Sequence, residues 1–277
     1  MKNQDEKGLL FGIWQMQPDT WVITNRWQNF MYLLIGQEKA MLIDTGYGEG
    51  NLREVVERIT DKPVMVINTH GHFDHTGGNA LWEQAWMTPQ AVAQAREPFS
   101  PQQAQWYAAK PYQDYTVNLV SDGDEFDLGG RTVEVISIPA HNESSIALLD
   151  HGRRLLFCGD ELEAGQVLLF VRSRNIALNH VVAAHLENMK KLKARRAEYD
   201  AICPAHNGTP LTPDLYLDDF IALAQELLAG TAEISEDTAG FGFTPDASKD
   251  PFFSRFGKLL RARHGQASFV FMQEKEC

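Results

Sequence analysis

The sequence predicts a domain of mixed α and β structure in which two strand-rich halves are each followed by helices. Three observations carry this. First, "WVITN", "FMYLLIG" and "AMLIDTG" are short apolar runs, β-branched or aromatic, closed by polar or glycine punctuation, as successive strands of one sheet are. Second, "TVNLV", "RTVEVISIP", "SSIALLD" and "RLLFCGD" repeat the pattern as a second strand-rich half. Third, "NLREVVERIT" and "NHVVAAHLENMKKLKARRAEYD" carry apolar residues at helical spacing, which suits helices packed on a sheet.

Taken in order, Asn51 is a plausible N-cap for a helix presenting Leu52, Val55, Val56 and Ile59, after which "KPVMVINT" restores the strand pattern. Two short helices interrupted by prolines are expected as an insertion near 88–113. The strands that follow are separated by the glycine turn "LGGR" and the hairpin-like "DHGR". Val182, Leu186, Met189 and Leu192 then form one apolar stripe, "AICPAH" reads as a last core strand, and "PDLYLDDFIALAQELLAG" as a further helix. The punctuation of "GFGFTPDASKDPFF" predicts an irregular appendage. The expected division is therefore a main domain over 1–230 and a C-terminal appendage, 231–277, packed on it.

The 277 residues are 44% hydrophobic, 10% aromatic and 22% charged, the balance of an ordinary globular protein. Lys and Arg number 25 against 37 Asp and Glu, a net charge of −12, which opposes binding to phosphate backbones and anionic lipid. Neither nucleic acid nor membrane is expected as a partner. No stretch approaches the roughly 18 apolar residues of a bilayer span, and the N-terminus "MKNQDEKGLLFGIW" lacks the features of a secretion signal. Cys158, Cys203 and Cys277 are widely spaced and odd in number, which predicts buried apolar residues and a free thiol in the cytoplasm rather than a disulfide framework. A small-molecule substrate is expected, with a homodimer left open.

"VINTHGHFDHTGG", Val66 to Gly78, ends an apolar run in three histidines and an aspartate. At a strand end, the H-x-H pair His70 and His72 can converge on one point while Asp74 and His75 turn to another, a spacing suited to two metal ions. No thiol lies nearby to close a structural zinc site. Two such ions need further ligands, and His141, Asp160 and His206 each follow an apolar strand. A lone histidine in such a place is ordinarily a hydrogen-bonded loop residue, but five of the nine histidines belong to this set. His180 and His185, five apart on a helix, cannot share a metal and read as surface or packing residues.

The segments "LIDTG", "THGHFDHTGG", "PAHNESS", "FCGD" and "PAHNG", in this order over roughly Gly8 to Thr212, resemble the metallo-β-lactamase superfamily of hydrolases. The resemblance implies an α+β fold, an αββα sandwich of two mixed β-sheets flanked by helices, with the site at one sheet edge. It makes His70, His72 and His141 ligands of a first metal, Asp74, His75 and His206 ligands of a second, and Asp160 a bridge. Asp44 matches a supporting acid that orients a ligand or orders the loop. The cofactors implied are two divalent metal ions, zinc first, with iron or manganese accepted by the same donors.

Such a pair makes hydroxide available at neutral pH, and Asp74 would orient it or relay its proton. Asp160 looks like the glyoxalase II and lactonase branch, since β-lactamases typically place a cysteine or serine there. Ester, thioester or lactone hydrolysis is expected, with phosphodiester hydrolysis at the same site as one alternative. Another is a persulfide dioxygenase with a single iron on His70, His141 and Asp160. Arg172 and Arg174, or Lys258, Arg261 and Arg263, are candidates to hold an anionic carrier. Trp106 and Tyr107, with Tyr112 and Tyr115, are candidates to line an apolar entrance.

Overall fold

The computed structural model describes residues 10–97, 99–109, 113–169, 176–237 and 259–272. Its first sheet has seven strands in chain order: β1 (Phe11–Gln17), β2 (Thr20–Asn25), β3 (Phe30–Ile35), β4 (Ala40–Ile43), β5 (Val64–Ile67), β6 (Gln84–Met87) and β7 (Thr116–Leu119). The pairing is antiparallel from β1 to β4 and parallel from β4 to β7. The second sheet takes β8 (Glu125–Asp127), β9 (Thr132–Ser137), β10 (Ile146–Asp150), β11 (Leu155–Gly159) and β13 (Ala201–Pro204). Its last pair, β11 and β13, is parallel.

The inner strands of both sheets are buried on both faces, which is why they read as nearly continuous apolar runs. Alternate residues go to different cores. Tyr32, Leu34, Met41 and Ile43 of the first sheet meet Val133, Val135, Ile146 and Leu148 of the second in a central layer. Met31, Leu33, Ala40 and Leu42 point the other way, against Leu52 and Val56 of helix α1 (Leu52–Glu57) and Ala91 and Ala95 farther along. Ala147, Leu149, Leu156 and Ile202 form the opposite outer face, covered by two long helices described below. The result is the helix–sheet–sheet–helix sandwich that the resemblance implied.

Short helices α2 (Phe73–Thr76), α3 (Ala91–Ala95) and α4 (Pro101–Tyr107) follow β5 and β6. α4 begins with a reciprocal cap between Ser100 and Gln103 and has Pro101 at its first position, where the missing N–H costs nothing. Helices α5 (Leu178–Ala194) and α6 (Pro213–Ala229) pack on the second sheet through Val182, Met189, Leu192, Leu217, Phe220 and Leu223.

Three expectations need correction. "TVNLV" supplies β7, which pairs with β6 at the edge of the first sheet, so it does not open the second. Strands β1 and β6 lack the bounded apolar run that marks their neighbours, because β1 lies at an edge with Gly12 to Gln15 exposed and β6 is only four residues long. The C-terminal part is not irregular where it is described. β14 (Ile234–Glu236), β15 (Leu259–His264) and β16 (Ala267–Met272) join β12 (Val167–Leu169) in a four-stranded sheet, with α6 against β15 and β16. Arg261 lies in β15 and is buried, its guanidinium paired with Asp237 at 3.0 Å and bonded to Gly165 O, Gln166 and Ser268. It is a structural tie and is not available to an anionic substrate.

Candidate metal centre

Strands β4, β5, β9, β11 and β13 deliver Asp44, His70, His141, Asp160 and His206 just beyond their C-terminal ends. Parallel pairing of β4 with β5 and of β11 with β13 sets those ends side by side. Backbone bonds stitch the two sheets there: Ile146 N donates to Thr69 O at 2.9 Å, and Phe30 N donates to Ala205 O at 2.7 Å. Two glycines let the backbone pass this closely. A side chain on Gly77 would strike the Tyr47 carbonyl, and Gly159, at φ 54°, would place a Cβ 2.7 Å from Thr69 Oγ1.

The structure brings His70, His72, His141, Asp74, His75, Asp160 and His206 together in two groups. In one, His72 Nδ1 lies 3.0 Å from His70 Nε2 and 3.1 Å from His141 Nε2. In the other, Asp74 Oδ2 lies 3.3 Å from His75 Nε2 and 3.2 Å from His206 Nε2. Asp160 stands between them. Its Oδ2 is 3.5 Å from His141 Nε2 and 3.9 Å from His70 Nε2, while its Oδ1 is 3.4 Å from His75 Nε2 and 3.6 Å from His206 Nε2.

Hydrogen bonds on the far side of the rings set the tautomers. His141 Nδ1 donates to Leu168 O at 2.7 Å, leaving a bare lone pair on Nε2. Thr69 Oγ1 donates to Asp44 Oδ2 at 2.7 Å and lies 3.2 Å from His70 Nδ1, so it accepts from that nitrogen and His70 Nε2 is bare as well. His72 Nδ1 then faces two lone pairs with at most one hydrogen to offer. His75 Nδ1 donates to Asp44 Oδ2 at 2.9 Å, turning its Nε2 toward two carboxylates. Although buried, His75 Nε2 and Asp160 Oδ1 make no hydrogen bond. Converging lone pairs of this kind are costly alone and are what a divalent cation takes up, so the donor set fits a metal.

The protonation states of His70, His72, Asp74 and Asp160 suit that role. At His75 burial is outweighed by the Asp160, Asp74 and Asp44 carboxylates, which hold the imidazole well above the usual histidine range, so a cation there displaces a proton. Burial, then the neighbouring His75 and His72, hold His70 well below the usual histidine range. Burial, then His141, lowers His72 to about 3. Burial opposes charge on Asp74 and Asp160 too, but the surrounding histidines win and hold both well below the usual carboxylate range. Neutral imidazole and ionised carboxylate are the forms that bind metal.

Asp44 accepts the Thr69 backbone N–H at 2.8 Å in addition to His75 and the Thr69 hydroxyl. Trp106 is half-buried and stacks on Trp27 with ring centroids 6.5 Å apart, whereas Tyr107 is buried against Tyr47 at 4.4 Å and Phe73 at 5.4 Å. Phe73 sits between His72 and Asp74 in the chain and also meets Phe99 at 5.3 Å, so an aromatic wall adjoins the donor cluster. Sequence reading missed Trp27, Tyr47, Phe73 and Phe99. Phe73, inside the histidine run, carried the one available signal. Arg172, Arg174, Tyr112, Lys258 and Cys277 lie outside the described residues. His185 is buried between Phe220 and Phe269. A third acidic group, Glu134, His151 and Glu198, already contains a cation, since Arg195 contacts Glu134 at 2.7 Å and Glu198 at 2.6 Å.

The family model described as metallo-beta-lactamase superfamily matches residues 24–206. Acyl-coenzyme A thioesterase MBLAC2 of Homo sapiens is 27% identical over 195 residues, 58% of this chain and 67% of that protein. Hydroxyacylglutathione hydrolase of Aeromonas hydrophila is 27% identical over 137 residues, 48% of this chain and 46% of the relative, so the chain spans about half of that protein's length. Among solved structures, a metallo-beta-lactamase from Pontibacter korlensis superposes with a TM-score of 0.58 at 18% identity, covering 78% of this chain and 99% of the other. That likeness is one of fold.

Proposed function

Because the chain belongs to the metallo-beta-lactamase superfamily, we propose that it is a hydrolase that uses two divalent cations, zinc first, to cleave a small acyl thioester or ester. The observation that carries this reading is the Asp160 carboxylate, with one oxygen toward each donor group. His70, His72 and His141 would hold one cation, Asp74, His75 and His206 the other, and Asp160 both. When bound, such cations lower the pKa of water and polarise a carbonyl. Asp74, held ionised at the half-buried rim, accepts a hydrogen from the attacking water and aims it. Asp44 holds the His75 ring in place.

The thioester preference draws on both relatives, each named for hydrolysis of an acyl group carried on a thiol. The aromatic wall around Phe73 supports an apolar acyl part. The net charge of −12 argues against a nucleic-acid substrate. No helix among the described residues is long and apolar enough to cross a membrane. Cys158 and Cys203 are free and buried, in keeping with a cytoplasmic setting.

The test is metal content by mass spectrometry on protein purified without chelators, then turnover of acyl thioesters, lactones and phosphodiesters. Two ions per chain with thioester hydrolysis is expected. One iron per chain with oxygen consumption on a persulfide would replace this reading, as would a two-ion protein that cleaves none of the three ester classes.

A further inference from the structure

Building on the two-cation reading, we propose that Asn29 is a positioning residue that fixes the Asp74 carboxylate for one of the two cations. Asn29 is buried in the turn between β2 and β3. Its Nδ2 donates to Asp74 O at 3.0 Å and to Asp74 Oδ2 at 3.3 Å, and lies 3.5 Å from His206 Nε2. All three contacts fall on the group formed by Asp74, His75 and His206.

The orientation of the amide is itself fixed. Asn29 Oδ1 accepts from Asn25 Nδ2 at 3.4 Å, and Asn25 Oδ1 in turn accepts the backbone N–H of Asn29 at 3.1 Å and of Trp27 at 2.9 Å. Flipped, Asn29 would turn its carbonyl oxygen toward the Asp74 carboxylate and lose the bond from Asn25. The next residue, Phe30, ties the same turn to the His206 loop through its bond to Ala205 O. One turn thus grips both the helix that carries Asp74 and the loop that carries His206.

Asp74 needs such a grip. It lies in α2, four residues long, whose N-cap His72 makes no side-chain capping bond, and its side chain is half-buried, so rotation toward water is open to it. A donated N–H occupies one lone pair of the oxygen and leaves another for a cation.

The test is Asn29→Leu, read by metal stoichiometry and by chelator competition as well as by thioester turnover. Expected is a 10- to 100-fold weaker hold on one ion, with the other retained as in the parent protein. Asn25→Asp keeps the acceptor for Trp27 and Asn29, removes the donor to Asn29 Oδ1 and to the Glu49 carboxyl on the side away from Asp74, and should weaken the same ion to a smaller degree. If Asn29→Leu loses both ions together with its fold, Asn25→Asp decides. Two ions held with unchanged chelator resistance in a folded Asn29 variant, or equal weakening of both, would overturn the inference. A parent protein that binds fewer than two ions would instead sink the two-cation reading beneath it.

Discussion

His75 Nδ1 lies 2.9 Å from Asp44 Oδ2, an oxygen that also accepts the Thr69 hydroxyl at 2.7 Å. Asp44 stands at φ 62°, a left-handed conformation that asparagine tolerates. Asp44→Asn therefore keeps the backbone while placing an amide N–H against the His75 or Thr69 hydrogen. We expect the His75 tautomer to be lost and metal affinity to fall 10- to 100-fold. Chelator competition checks this, and unchanged retention would show that Asp44 only shapes the turn.

Asp160 and His72 should differ in how they fail. His72 adjoins His70 and His141, whereas Asp160 faces both groups. His72→Ala is expected to remove one ion and nearly all turnover, and Asp160→Asn to weaken both ions. Mass spectrometry of the intact metal-loaded variants separates the two patterns. Full turnover in His72→Ala would count against the whole assignment.

The Arg131 guanidinium crosses between the sheets. It meets Asp150 Oδ2 at 2.5 Å, Thr20 Oγ1 at 2.7 Å and the carbonyls of Asp19 and Ile35 at 2.6 and 3.2 Å, and both charged partners are buried. Removing one member leaves an uncompensated buried charge, so Asp150→Ala should cost about 3–5 kcal/mol. Urea unfolding of the metal-free protein measures it. A loss below about 1 kcal/mol would mean that water reaches Arg131.

Burial holds His185 down to about 4, its Nε2 donating to Glu161 O at 2.7 Å. The unfolded value is about 6.5, so the unfolded chain takes the proton first. The stability that His185 contributes is whole above about pH 6.5 and falls as pH drops toward 4, by up to roughly 3 kcal/mol. Comparing metal-free parent and His185→Leu over this window cancels what the other groups contribute. The variant should lose less stability on acidification, and parallel curves would refute the prediction.

Much of the fold was legible because the inner strands of both sheets are buried on both faces. β3, β4, β10 and β11 read as unbroken apolar runs, and the stripes of α5 and α6 as helices. β15 was not, since Arg261 is a charge satisfied inside by Asp237, from a segment 24 residues away. The ligand candidates were legible as residue types past strand ends. Asn29 was not, for an asparagine before a strand is an ordinary turn residue until the fold sets Asp74 beside it.

By itself the sequence determined which side chains stand at the strand ends and that imidazole and carboxylate dominate among them, because chain periodicity marks where a strand must stop. Tertiary structure decided which nitrogen of each ring faces inward, which oxygen of Asp160 meets which group, and that a turn near residue 29 grips Asp74. Those relations depend on how the two sheets pack face to face and on hydrogen bonds across that seam. Packing registry between sheets leaves no periodic trace along a single chain.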